Sequence, residues 1–375
     1  MIEQKTAAVR INADVGRRAT GWGRISLEIR QDMPQWQRFF LTTGGLVAGL
    51  VVAAAILNVS GVGLADLYNE FVVSIFTNPQ SLSAVLVQAA PLLIAGLAAA
   101  IAFRVRFWNI GIEGQMIFGS IACTFVAKNN FGPEGLRLLI MMFAAAAGGM
   151  FWIALPGFLR LRLGLNEIIS TLLLNYVALN FLLHLLYGPW QDPKSNFPHS
   201  EQYGATERLP LLGWENLTLT LPLAILLAVI LWWLMEVSRF GFFSRFAQAN
   251  PKMARAVGIP LVSVTLAAIL ASGALAGFAG FAISAGIEYR MTQSFFTGYG
   301  FSGILIAFLA RNNPIMAVPV ALLLAVLFVT GQSLQVFYQI PGAMVQLIQA
   351  IIVMCVAAAD FFIRHRIRFI RSRVS

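Results

Sequence analysis

Asn109, Glu113 and Gln115 stand among Gly111, Gly114 and Gly119 in residues 104–120, directly after one long apolar run and directly before another. A carboxylate and two amides can bind a polar solute, relay a proton or hold backbone groups. In hydrocarbon an isolated charge costs about 2.5 kcal/mol or more, so such groups face a protein interior or a water-filled path. The glycines let a chain turn and let backbones approach, and non-helical backbone at membrane depth survives only where it is buried or lines a cavity. The stretch predicts a helix that starts inside the protein, with Asn109, Glu113 and Gln115 at a polar mouth. The alternative is that the three cap a helix and bond its neighbours without touching a solute.

A second constellation is Glu167, Thr171 and Asn175, every fourth residue and therefore on one helix face, with Asn166 and Ser170 on its flank. In a leucine-rich segment this polar stripe should face a bundle interior, either bonding neighbouring helices or lining a path. Asn180 and His184 form a further pair toward the far end. The third constellation, Asn250 to Gly258, reads as a very short helix: Asn250 is the N-cap, Pro251 fits the first turn, Gly258 fits a left-handed exit, and Pro260 blocks continuation. The Lys-Met-Ala-Arg-Ala-Val between them, including Arg255, makes about two turns, which in isolation are unstable in water. Such a helix needs a surface, either this chain's own or that of another subunit. Gly273 and Gly277 stand in small-xxx-small register and predict close helix packing rather than a ligand site.

Other chemistries are not visible. There is no Gly-Lys pair and hence no phosphate loop, no ligand-spaced His/Cys/carboxylate cluster and no nucleophilic triad. The expectation is no catalytic residue, no metal and no cofactor in this chain, which does not read as an enzyme. Cys123 and Cys355 lie within apolar runs, where a free cysteine behaves as a small hydrophobe.

The elements that must position these residues are membrane spans. Of 375 residues 58% are hydrophobic and 11% charged, against about 25% charged in a soluble domain. Apolar runs at 39–59, 81–103, 114–127, 137–159, 165–187, 217–237, 261–284, 301–311, 314–331 and 345–363 predict an all-α polytopic bundle of about ten spans. The third and eighth runs are short, and short or glycine-interrupted segments in corresponding positions of two halves point to a transport site.

With both termini cytoplasmic, 21 of the 26 Lys and Arg residues fall inside, and only Lys128, Arg137, Lys194, Arg208 and Arg290 fall outside. This positive-inside bias explains the net charge of +10 without any nucleic-acid partner. Residues 1–38 form a basic cytoplasmic arm. Within it Ile25, Ile29, Met33, Trp36 and Phe40 have near-helical spacing that predicts an interfacial helix interrupted at Pro34, the alternative being a solvated tail. Residues 364–375 form a basic cytoplasmic tail. The longest polar connection, 188–216, is external and divides five spans from five, so any repeat is inverted; 109–114 and 298–303 are both glycine-rich helix starts.

Asn109-Ile-Gly-Ile-Glu-Gly-Gln with Phe118-Gly, Leu165-Asn-Glu-Ile-Ile-Ser-Thr-Leu-Leu-Leu-Asn-Tyr, Asn250-Pro-Lys-Met-Ala-Arg-Ala-Val-Gly-Ile, Gly298-Tyr-Gly-Phe-Ser-Gly-Ile and Arg311-Asn-Asn-Pro occur in that order. Together they resemble the permease subunits of bacterial ABC importers of the ribose, branched-chain amino acid and nucleoside group. The likeness looks closest to the nucleoside and simple-sugar permeases. It implies a path between two permease subunits, often two different ones, in the bacterial cytoplasmic membrane. Import is then driven by an ATPase subunit that carries ATP and Mg, and is fed by an extracytoplasmic solute-binding protein. By similarity the helix of Asn250, Pro251, Arg255 and Gly258 couples to the ATPase. The rival from the residues alone is a proton-coupled secondary transporter using Glu113 or Glu167; a third reading is a non-transporting scaffold, which the buried polar stripe disfavours.

Overall fold

The computed structural model describes residues 24–29, 33–293 and 298–370. Fourteen helices are described there, and helix-start chemistry explains several of their boundaries. Helix α1 is Gln35–Val59; α2 (Leu64–Tyr68), a π turn and α3 (Ser74–Thr77) then lead into α4, Pro79–Arg104. After α4 come α5 (Ile112–Lys128), α6 (Glu134–Leu163), α7 (Glu167–Leu186) and α8 (Thr220–Glu236). The chain continues through α9 (Arg239–Ala249), α10 (Pro251–Ala256), α11 (Leu261–Ile283), α12 (Tyr299–Leu309), α13 (Pro314–Phe337) and α14 (Gly342–Arg364). Three of them, α4, α10 and α13, begin at an Asn-Pro pair whose asparagine side chain accepts a backbone N–H of the first turn. The amide oxygen satisfies an orphan donor and the proline sacrifices none.

Among the described residues seven helices are long and apolar enough to cross a membrane, α1, α4, α6, α7, α11, α13 and α14, and the pair α8 and α9, bent by 65°, raises the number to eight. Helices α5 and α12, with 17 and 11 residues, are shorter. They carry the apolar runs expected to be short.

Helix α4 is the central element, buried without a break from Val87 to Phe103, and it packs against α8, α11, α12 and α13. Close backbone approach surrounds it. On α11, Gly273 and Gly277 meet the backbone of Gly149 and Ala145 on α6, and Gly280 meets Met116 of α5, so a Cβ at any of the three would strike backbone atoms. The small-residue register thus serves packing between α5, α6 and α11. Helix α12 approaches α4 in the same manner, Gly303 against Ala95 and Gly96 against Ile306.

One part of the architecture departs from helix. Arg24–Ile29 and His365–Ile370 pair as a two-stranded antiparallel ribbon that joins the ends of the chain. The interfacial helix expected over Ile25 to Phe40 is corrected here: Ile25 and Ile29 lie in the strand, and helix begins only after Pro34. The sequence Ile-Ser-Leu-Glu-Ile alternates with a period of two, and the residue before a proline is biased away from helical backbone. The rest of the expected arm, 1–23 and 30–32, and the end of the tail, 371–375, lie outside the described residues.

Candidate functional site

Two short helices begin beside one another in the buried core. Helix α5 opens at Gly111 and α12 at Gly298, and a single side chain joins the two openings. Glu113, 1% exposed, accepts the N–H of Gly298 at 3.1 Å through Oε1 and the N–H of Gly300 at 2.7 Å through Oε2. The carboxylate therefore caps α12, at the helix end where orphan N–H groups and the helix dipole favour negative charge. Gly298 has φ +92, and a Cβ on Gly300 would meet the Glu113 backbone nitrogen at 2.5 Å and Oε2 at 2.8 Å. Both glycines of the Gly-Tyr-Gly start are required by this contact.

Asn109 and Gln115, both fully buried, form a reciprocal amide pair. Asn109 Nδ2 donates to Gln115 Oε1 at 3.0 Å and Gln115 Nε2 donates to Asn109 Oδ1 at 2.8 Å. Asn109 Nδ2 also reaches Ser272 Oγ on α11 at 2.9 Å, and Ser272 donates to the Ala98 carbonyl of α4 at 2.6 Å. Asn109 Oδ1 accepts the Gly111 N–H at 3.1 Å. The α7 stripe closes the other side. Thr171 Oγ1 accepts the Ile110 N–H at 3.2 Å, while Asn175 accepts the Gly114 N–H and donates to the Ile110 carbonyl, each at 2.9 Å. Glu167 is buried and pairs with Arg160 at 3.3 Å, and its carbonyl accepts the Thr171 hydroxyl at 2.6 Å. Asn166 is exposed and caps α7 through the Ile168 N–H.

The structure thus brings Asn109, Glu113, Gln115, Thr171 and Asn175 into one network, with Glu167 at its edge and Asn166 outside it. The polar atoms hold the irregular backbone of 109–114. Ser272 and the paired glycines of α12 belong to the same network. Ser272 is a lone hydroxyl inside the small-residue face of α11, and Glu113 and Gly298 are 185 residues apart, so neither partnership is a local pattern.

At the far end of α5 lies a second buried polar group. Thr124 hydrogen-bonds the Tyr203 hydroxyl at 2.5 Å, and Cys123 lies 3.1 Å from Ser284 Oγ. Burial, with the neighbouring Cys123, holds the Tyr203 hydroxyl well above its ordinary pKa. Tyr203 belongs to the long connection between α7 and α8. That connection is tied to the bundle by the buried Arg137–Glu207 pair at 2.7 Å, and by Tyr203 and Ser200 N–H groups donating to the Tyr289 and Met291 carbonyls.

At the end of the molecule marked by Arg104, helices α9 and α10 pack beside α8 and α11. Asn250 Oδ1 accepts the Met253 N–H at 3.1 Å, Gly258 has φ +79, and Ala254 is the buried residue of α10. Lys252, Met253, Arg255 and Val257 are exposed. Among the described residues no three His, Cys, Asp or Glu side chains gather as metal ligands.

Long apolar helices, with two short helices meeting at a buried polar junction, are the architecture of a multi-pass membrane protein. The chain belongs to the family described as branched-chain amino acid transport system / permease component, whose model matches residues 81–357. Proteins of this family are permease components of ABC transporters, not enzymes, and they work with an ATPase and a solute-binding protein. The chain is 35% identical over 354 residues to the glucose ABC transporter permease protein TsgB13 of Haloferax volcanii, covering 92% of this chain and 93% of that protein. It is 31% identical to the guanosine ABC transporter permease protein NupP of Bacillus subtilis, over 88% of this chain and 94% of that one. The nucleoside ABC transporter permease protein NupB of Lactococcus lactis is 27% identical over 83% of this chain and 88% of its own length.

Proposed function

We propose that this chain is the permease subunit of an ATP-driven importer that carries nucleosides or related simple-sugar solutes across the bacterial cytoplasmic membrane. The observation that carries the reading is near full-length similarity to permeases of both solute types, one named for glucose and one for guanosine. The chain crosses the membrane about ten times with both termini inside, which the distribution of Lys and Arg supports. The solute path runs between this subunit and a second permease, a different paralogue rather than an identical copy. The extracytoplasmic binding protein delivers the solute.

Asn250, Pro251, Arg255 and Gly258 couple this subunit to the ATPase, which holds ATP and Mg; this chain carries no cofactor of its own. The exposed Met253 and Val257 beside Lys252 and Arg255 support a docking role, because exposed apolar side chains favour cover by a partner. Asn109, Glu113, Gln115, Asn166, Glu167, Thr171 and Asn175 form the wall behind the inner path, and of these Asn109, Glu113, Gln115, Thr171 and Asn175 keep the two short helices in place. Movement of the coupling helix tilts this wall when ATP binds the partner.

The test is uptake of labelled guanosine, glucose and a branched-chain amino acid by cells with and without this subunit. Guanosine or glucose uptake that requires the subunit and stops on ATP depletion is expected. Uptake that survives ATP depletion but collapses with an uncoupler overturns the reading in favour of proton coupling.

A further inference from the structure

Helix α7 has a second polar stripe that the core does not use. Its buried face carries Glu167, Thr171 and Asn175 and packs on α5 and α6. On the opposite side Tyr176, Asn180 and His184 recur every fourth residue and are all exposed, with Tyr187 above them and Asn166 below. Tyr176 is 56% exposed. Asn180 spends its Nδ2 on the Tyr176 carbonyl at 2.8 Å. Among the described residues, Asn180 Oδ1, the Tyr176 hydroxyl and the His184 ring have no hydrogen-bond partner.

Depth makes this arrangement informative. Counting from Glu167 at 1.5 Å per residue, Tyr176 lies about 14 Å and Asn180 about 20 Å along a helix of about 30 Å. That length matches the hydrocarbon core of about 30 Å. An interfacial aromatic belt accounts for Tyr187 and His184 near the helix end, but not for Tyr176 and Asn180. Unpaired amide and hydroxyl groups at that depth are disfavoured against lipid, and such residues face a water-filled cavity or another protein.

Resting on the importer reading above, we infer that the outward face of α7 lines the solute path, with Tyr176 and Asn180 contacting the solute. Between Ile168 and Leu186 this helix carries no Lys, Arg, Asp or Glu. Recognition there uses an amide, a phenol and an imidazole beside exposed aromatic surface, which suits a neutral solute rich in hydroxyl or amide groups. The polar atoms of the buried network are already engaged, whereas Asn180 Oδ1, the Tyr176 hydroxyl and the His184 ring on the outward stripe are free to bind.

The experiment uses the assembled transporter in membranes permeabilised to both faces, with Cys123→Ser and Cys355→Ser as background. Asn180→Cys is compared with Lys128→Cys at the exposed end of α5 and with Phe151→Cys on the apolar outer face of α6, where Phe151 is 70% exposed. A charged, membrane-impermeant methanethiosulfonate should modify position 180 at a rate within tenfold of position 128, and position 151 at least a hundredfold more slowly. Position 180 as slow as position 151 overturns the assignment.

Asn180→Leu supplies a second measurement. A lipid-facing site accepts leucine, so unchanged uptake of guanosine or glucose overturns the inference, whereas a tenfold or greater loss at normal assembly supports it. ATP-dependent uptake by the unmodified protein in the same membranes tests the importer reading separately. Uptake with position 180 sealed defeats this inference alone, and labelling at 180 without ATP-dependent uptake defeats the importer reading alone.

Discussion

Replacing Glu113 distinguishes a structural clasp from a solute contact. Its carboxylate takes two backbone N–H groups of α12 in a buried setting, Gly298 at 3.1 Å and Gly300 at 2.7 Å. Glu113→Ala leaves both donors without their acceptor. A buried donor left unmade costs about 1–3 kcal/mol, so the loss is about 2–6 kcal/mol. Glu113→Gln keeps the shape and one acceptor oxygen, but turns an NH2 toward the second N–H and forfeits about half of that. Against a typical folding stability of about 5–15 kcal/mol, the alanine variant should show little assembled protein. The glutamine variant should assemble but melt several degrees lower.

The assay is thermal unfolding of the detergent-solubilised complex, followed by size exclusion, alongside uptake of guanosine and glucose in cells. The expected pattern is a graded loss of stability, alanine worse than glutamine, with the preference between the two solutes unchanged in whatever transport remains. An unchanged melting temperature with a shifted solute preference in Glu113→Gln would refute the clasp and make Glu113 a solute-contacting residue.

Gly277→Ala places a methyl against the Ala145 carbonyl and 3.0 Å from the Gly149 nitrogen, backbone atoms of α6 that cannot swing away. Overpacking of this kind costs about 1–3 kcal/mol, visible as a lowered melting temperature, while Gly135→Ala, with open space around it, should be silent. Arg137→Ala strands the buried Glu207 carboxylate and frees the 188–219 connection; breaking such a pair costs about 3–5 kcal/mol, and protease sensitivity of that connection from outside should rise. Arg255→Glu combined with Gly258→Ala reverses a charge on the exposed α10 and forces a side chain into φ +79, at about 1–2 kcal/mol for the latter. Membrane insertion should persist while ATPase stimulation and uptake fall; unchanged coupling removes α10 from the ATPase contact.

Features that depend on local patterns were legible in the sequence. The apolar runs, the Asn-Pro start and left-handed glycine exit of α10, and the packing register of Gly273 and Gly277 all follow from spacing alone. Features that depend on tertiary partners were not. The ribbon between 24–29 and 365–370 needs both chain ends, so the spacing of Ile25 and Ile29 read as helix. Among the described residues seven helices qualify as spans by length and composition, or eight with the bent pair. The runs at 114–127 and 301–311 form short helices whose shortness has a cause that the sequence does not display.

That cause is the meeting of α5 and α12. A helix that starts in a buried core has orphan N–H groups that water cannot satisfy. The two starts solve this with side chains from elsewhere. For α5, Asn109 takes the Gly111 N–H and Asn175 takes the Gly114 N–H; for α12, Glu113 takes those of Gly298 and Gly300. Their shared glycine content is therefore the trace of one physical requirement met twice. Each start must admit a foreign polar side chain against its backbone, and a Cβ at Gly111 or Gly300 would occupy that space. The directions of the helices follow: α5 runs from the junction to Thr124 and Tyr203, while α12 runs to Phe308, which packs on Phe103 and Trp108 beside Arg104. Two helices of 17 and 11 residues leave one buried junction in opposite senses. A shift at the junction would thus be felt at both ends of the subunit, and Glu113, the side chain shared by both starts, is the residue through which they stay in register.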